Sequence, residues 1–207
     1  MIRSAMVRTG MVCVILAATF IGMSAARVFA DYDAGLEAYK RGDYAAALAK
    51  WLPLAEEGDA KAQNAVGLLY AAGLGLPQDY AEAITWYRKA AEGGYPSAMH
   101  NLGVMYANGQ GLTPDFSEAA KWYHAAAERG HVGAQHKLIE LYAEGKGVPR
   151  DNVQAYTWLL IAGCEHDEHK ERAKAIAGQL TPEQIAEAEK NASERKVKRW
   201  QGVDSAK

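Results

Sequence analysis

The sequence predicts an all-α solenoid built from helical hairpins. Three observations carry that prediction. A unit of 36 residues is written three times between Gly58 and Glu165. Within each unit apolar residues recur at the spacing of two amphipathic helices. Between the two helices stands a Gly-x-Gly turn followed by proline, and an aspartate then opens the second helix.

In register, ten columns of the repeat are identical in all three copies. They are Gly58/Gly94/Gly130, Ala62/Ala98/Ala134, Tyr70/Tyr106/Tyr142, Ala71/Ala107/Ala143, Gly73/Gly109/Gly145, Gly75/Gly111/Gly147, Asp79/Asp115/Asp151, Ala83/Ala119/Ala155, Trp86/Trp122/Trp158 and Ala90/Ala126/Ala162. A period of this length marks units that cannot bury their apolar faces alone and must stack. Ala62, Val66, Leu69 and Tyr70 share one face of the first helix, and Ala83, Trp86, Tyr87, Ala90 and Ala91 share one face of the second. The tryptophans on that stripe read as core. The turns supply positive φ at glycine and a stop at Pro77, Pro114 and Pro149. Asp79, Asp115 and Asp151 are N-caps, and Glu82, Glu118 and Gln154 three residues on complete the pattern of a capping box.

These residues resemble the Sel1-like repeat family, relatives of the tetratricopeptide repeats. The family's Leu-Gly-x-x-Tyr is matched by Val66-Gly67-Leu68-Leu69-Tyr70 and Leu102-Gly103-Val104-Met105-Tyr106. The third copy departs from it: Ile139 replaces the glycine, Leu159 the second aromatic, and Gly163-Cys164 the Ala-Glu pair. The resemblance covers about half the chain. It implies a right-handed superhelix of hairpins used for protein–protein contacts, with the first helices on the concave face. A cysteine-rich branch of the family staples its hairpins with disulfides and has members linked to β-lactam binding. This chain lacks those cysteines, so that analogy does not carry over.

Residues 1–30 differ from the rest. They hold no Asp or Glu, Arg3 and Arg8 precede an apolar run from Met11 to Ala26, and Val28-Phe29-Ala30 offers small residues for cleavage. This is the layout of a secretory signal peptide. Cleavage after Ala26 and an uncleaved anchor are the alternatives. The run is short for a bilayer span. Cys13 lacks the small residue that a lipoprotein signal places before its cysteine. Export would remove Arg3, Arg8 and Arg27, turning a formal charge of −2 into −5 and leaving Cys164 as the one cysteine. A near-neutral chain carries no electrostatic footprint for nucleic acid.

Residues 31–57 read as a shortened hairpin that caps the N-terminal end. Asp43-Tyr44-Ala45 lies 36 residues before Asp79-Tyr80-Ala81, Trp51 matches Tyr87, and a tight Gly42-Asp43 turn replaces the long loop. Residues 166–200 read as C-terminal capping helices, the second opened by Thr181-Pro182-Glu183-Gln184 with a capping box. Residues 201–207 read as a disordered tail.

Candidate chemistry is sparse. All six histidines fall between His100 and His169. His166 and His169 share a helix face near Cys164 and are chemically competent zinc ligands, but a second element would have to complete the set. His100 and His136 occupy one position in neighbouring units and read as stacked surface residues. The Gly-x-Gly loops follow helices and lack a third glycine, so they are turns and not nucleotide loops. No catalytic motif occurs, and the expectation is no catalytic residue, no metal and no cofactor. Arg195-Lys196-Val197-Lys198-Arg199 is a basic cluster at a helix C-terminus, where the dipole favours it.

Two functions follow. The first is a non-enzymatic adaptor or regulator in the periplasm or cell envelope, binding another protein or peptide through the concave face. The second is a metal-dependent or hydrolytic enzyme using the histidine-rich C-terminal half. For the first, the positions free to vary on each first helix form a stripe: Lys61, Asn64 and Leu68, then Ser97, His100 and Val104, then Gly133, His136 and Glu140. Its mixed chemistry suits a peptide surface.

Overall fold

The computed structural model describes residues 31–163 and 167–204. The leader expected in residues 1–30, Cys164 and His166 lie outside them, and so does the side chain of His169. Ten helices stand among the described residues, paired as hairpins: α1 (31–40) with α2 (Tyr44–Glu56), α3 (Ala60–Ala72) with α4 (Tyr80–Glu92), α5 (Pro96–Asn108) with α6 (Phe116–Glu128), and α7 (Val132–Glu144) with α8 (Asn152–Ala162). α9 (Asp167–Ala177) and α10 (Pro182–Asp204) close the C-terminal end. The described chain has no strand. The second helix of each hairpin packs on the first helix of the next element, and α10 packs directly on α8.

The apolar stripes form the core as the periodicity requires. Ala62, Val66 and Leu69 of α3 and Ala83, Tyr87, Ala90 and Ala91 of α4 are buried, with the same columns buried in the second unit and all but Ala162 and Gly163 in the third. Small alanines at the contact let the helices approach, and the large residues fill what remains. The tryptophans divide. Trp86 and Trp158 are buried, whereas Trp122 is only partly buried against the core. Trp158 is sealed because α10 lies over it, with the Arg195 guanidinium 4.7 Å from its ring centre.

The turns share one backbone pattern. Asp79, Asp115 and Asp151 each accept backbone N–H bonds at the start of the second helix, worth about 1 kcal/mol apiece. The return half of the expected capping box is replaced. The backbone N–H of each aspartate donates to the carbonyl of the tyrosine that ends the first helix: Asp79 to Tyr70, Asp115 to Tyr106 and Asp151 to Tyr142, at 2.9 to 3.0 Å. The loop folds back far enough to reach that carbonyl, so the Glu82, Glu118 and Gln154 side chains are not needed for it. A complete box forms where no such loop exists. The Thr181 N–H donates to Gln184 Oε1, and the Gln184 N–H donates to Thr181 Oγ1.

The second glycine of each loop touches the preceding unit. A Cβ at Gly75 would meet the backbone carbon of Tyr44 at 2.8 Å, and one at Gly111 would meet Tyr80 Cβ at 2.6 Å. One at Gly147 would strike the Phe116 backbone. All three also hold positive φ, which a side chain resists. α10 continues to Asp204, beyond the Trp200 limit expected from sequence. Gly202 alone costs a helix only about 1 kcal/mol.

Candidate functional site

The first helices of successive hairpins are tied together along one face, and each tie is different. Lys61 of α3 places its ammonium 3.9 Å from the ring centre of Tyr32 in α1. The Asn101 side chain of α5 donates to Asn64 Oδ1 of α3 at 3.0 Å. The ring of His100 in α5 stacks on His131, the residue capping α7, at 4.5 Å and 24°. Glu140 of α7 faces Arg172 of α9 at 3.9 Å. This polar ladder runs from α1 to α9, and α9 stands where a further first helix would stand.

The stripe read from sequence lies along this ladder, and its members differ in burial. Lys61 is exposed and Leu68 is 38% exposed, whereas Asn64, Ser97, His100, Val104, His136 and Glu140 are partly buried. Val104 packs against the core, and Glu140 also accepts from Lys137 at 2.9 Å. His100 lies on His131 and beside Tyr123. Gly133 lies close to both imidazoles. A Cβ there would sit 3.2 Å from His131 Cε1 and 3.4 Å from His100 Nε2. Sequence reading passed over Tyr32, Asn101, His131 and Arg172. One signal was available for Asn101, which lies next to a stripe residue in the middle of an otherwise apolar helix.

Burial favours the neutral form of the paired imidazoles. Burial, then the neighbouring His131, lowers the His100 pKa, against a smaller opposing pull from a hydrogen bond with Asn101. Burial lowers that of His131. His131 Nδ1 accepts the Ala134 N–H at 3.1 Å, so its proton resides on Nε2. Among the described residues no three His, Cys, Asp or Glu side chains converge as a metal site. No helix there is long and apolar enough to cross a membrane. Two members of the basic cluster are engaged within the fold: Arg195 lies over Trp158, and Lys196 Nζ donates to the Leu160 carbonyl at 2.9 Å.

The Sel1 repeat model matches residues 60–95, 96–131 and 132–167. The chain belongs to the Sel1 repeat family. The matched units begin at the first helices, two residues after the glycines that open the sequence period. A Sel1 repeat protein from Oxalobacter formigenes of known structure is 36% identical, with a TM-score of 0.62, over 69% of this chain and 57% of its own. The protective antigen c5321, present in uropathogenic Escherichia coli strains, displays the same type of repeat fold. It is 26% identical, with a TM-score of 0.52, over 87% of this chain and 48% of its own. The chain thus spans about half the length of these two solved relatives. No curated protein matches. Sel1 repeats mediate protein–protein contacts.

Proposed function

We propose that this Sel1 repeat protein is a non-enzymatic adaptor or regulator. It acts in the periplasm or cell envelope after removal of residues 1–30, and it binds a peptide segment of another envelope protein across its first helices. The observation that carries this reading is the polar ladder. Four unlike contacts in series hold the first helices in fixed relation, and Lys61 and Leu68 remain exposed beside them. A rigid face with different chemistry at each step recognises one sequence over another at little ordering cost. Helices about 8–10 Å apart fit an extended peptide, which spans that distance in about three residues.

The experiment uses the chain from Asp31 as bait in envelope extract, with Lys61→Glu/Leu68→Glu as the paired variant. Leu68 is exposed, and losing the exposed Lys61 ammonium from the Tyr32 ring costs only about 0.5–1 kcal/mol, so the circular-dichroism spectrum should be unchanged and the melting point nearly so. The expected result is a protein retained by the wild type and lost by the variant. Equal retention by both would remove the first-helix face as the site. Mass analysis of the exported protein tests the compartment, and a species that keeps Met1 in the membrane fraction would overturn that part.

A further inference from the structure

We propose that the joint between α10 and the third repeat is an acid-sensitive clasp: protonation of His124 sets a second cation against the same indole that holds Arg195, and α10 loosens while the repeats stay folded.

The geometry is a convergence of four helices on Trp158. His124 comes from α6, Tyr142 from α7, Trp158 from α8 and Arg195 from α10. His124 Nε2 lies 2.8 Å from the Tyr142 hydroxyl. The imidazole meets the indole edge-on at 5.5 Å and 66°. The Arg195 guanidinium lies over the same indole at 4.7 Å. Arg195 is poorly compensated there. Its Nη2 reaches Gln154 Oε1 at a long 3.5 Å. Among the described residues its buried Nη1 has no acceptor, and neither has the buried Trp158 Nε1. A buried charge without full pairing is already costly, so the joint has little margin for another.

The groups acting on His124 can be named. Arg195 faces it from α10 and disfavours its charge, and Glu128 on its own helix favours it, behind the dominant effect of burial. α7 presents the Tyr142 hydroxyl, and α8 presents the indole. α5, the hairpin partner of α6, has no Asp, Glu, Lys or Arg. Its titratable His100 and Tyr106 face Tyr123 and Arg88. Among the described residues no carboxylate from another helix is one of the groups acting on the ring. The bond to Tyr142 survives protonation, because a hydroxyl accepts as well as donates. What protonation adds is repulsion between like charges in a partly dry site.

Release would be local. The repeats hold each other through apolar cores, whereas α10 has a mostly polar sequence and rests chiefly on α8. Its described ties near this end are Arg195 to Trp158 and Gln154, and Lys196 to the Leu160 carbonyl. Elements with few buried apolar contacts open at lower free energy than cores.

Hydrogen exchange of the chain from Asp31, at about pH 7.5 and about pH 5.5 with intrinsic rates corrected, tests the clasp across the histidine range. Protection of α10 amides should fall by about tenfold or more at the lower pH, well beyond the smaller acid loss that His100 and His131 bring to the α3–α8 amides. In His124→Gln, which keeps a hydrogen-bonding group and cannot titrate, the extra loss at α10 should vanish. Unchanged α10 protection in the wild type, equal loss in the variant, or a loss across the repeats as large as that of α10 would each overturn the proposal. Should His124→Gln fail to fold, Arg195→Gln supplies the second arm. Its His124 titration, followed by NMR, should move to higher pH, and an unmoved titration would overturn the coupling.

Discussion

Gly103 lies under the ring of Tyr123. A Cβ at position 103 would stand 2.5 Å from Cε1 and 2.6 Å from Cδ1 of that ring. The same pairing recurs in the preceding unit, where a Cβ at Gly67 would meet Tyr87 at 2.8 Å, and in the first hairpin, where Gly35 faces Trp51. In the third unit both partners change together. Ile139 takes the place of the glycine and Leu159 that of the aromatic, and both are buried in the core. A flat ring needs a bare backbone opposite it, and a branched aliphatic pair fills the same space by other means.

Gly103→Ala should therefore destabilise the protein. Alanine adds about 1 kcal/mol of helix propensity. The Tyr123 ring is buried and cannot step aside, and overpacking costs about 1–3 kcal/mol. Gly103→Ile should cost more, and Gly103→Ile/Tyr123→Leu should recover part of that loss, with a coupling of about 0.5–3 kcal/mol. Melting of the two single variants and the double variant forms the cycle. Simple additivity would mean that the two positions do not share one volume.

The hairpin order, the stripes and the aspartate caps were legible because period, glycine and aspartate act locally. The third unit's Ile139 and Leu159 read as two separate departures until the fold put them opposite each other. The site was harder. The stripe at Lys61, Asn64, Leu68, Ser97, His100, Val104, His136 and Glu140 was placed by helix spacing alone, and spacing gives direction but not partners. That His100 meets His131 depends on how the hairpins stack and on where α7 starts. Neither is a property of a single helix.

Gly147 and Gly94 both hold positive φ, at 68° and 81°, but only the first touches a neighbouring unit. Gly94→Ala should cost only the left-handed conformation, about 1–2 kcal/mol. Gly147→Ala should cost clearly more, since its Cβ would strike the Phe116 backbone, which cannot rotate away. Paired urea titrations compare them. Equal midpoints would show that the loop does not bear on the preceding repeat.

Trp158 and Trp122 occupy the same column of the repeat but not the same environment. Trp158→Ala should lose about 3–5 kcal/mol, as fully buried aromatics do. Trp122→Ala should lose no more than about 2 kcal/mol, because part of its surface is never removed from water. Thermal melting ranks the two, and a larger loss at Trp122 would mean that the middle repeat is packed more tightly there than its burial states.

Acid should weaken the fold through its neutral histidines. Burial lowers the folded pKa of His100, His124 and His131 from the usual 6.5. The unfolded chain then takes up protons first as pH falls, so their contribution is complete above about pH 6.5 and is lost progressively below it. His131 adds a specific reason. Its Nδ1 can accept the Ala134 N–H only while that nitrogen is unprotonated, and the capped helix α7 also seats the stacked His100 ring. Asparagine is a strong N-cap that does not titrate. His131→Asn should therefore melt near the wild-type temperature at about pH 7.5 and above it at about pH 5, where the imidazole cap is being lost. If wild type and variant decline in parallel between those two values, the cap is not where the acid acts.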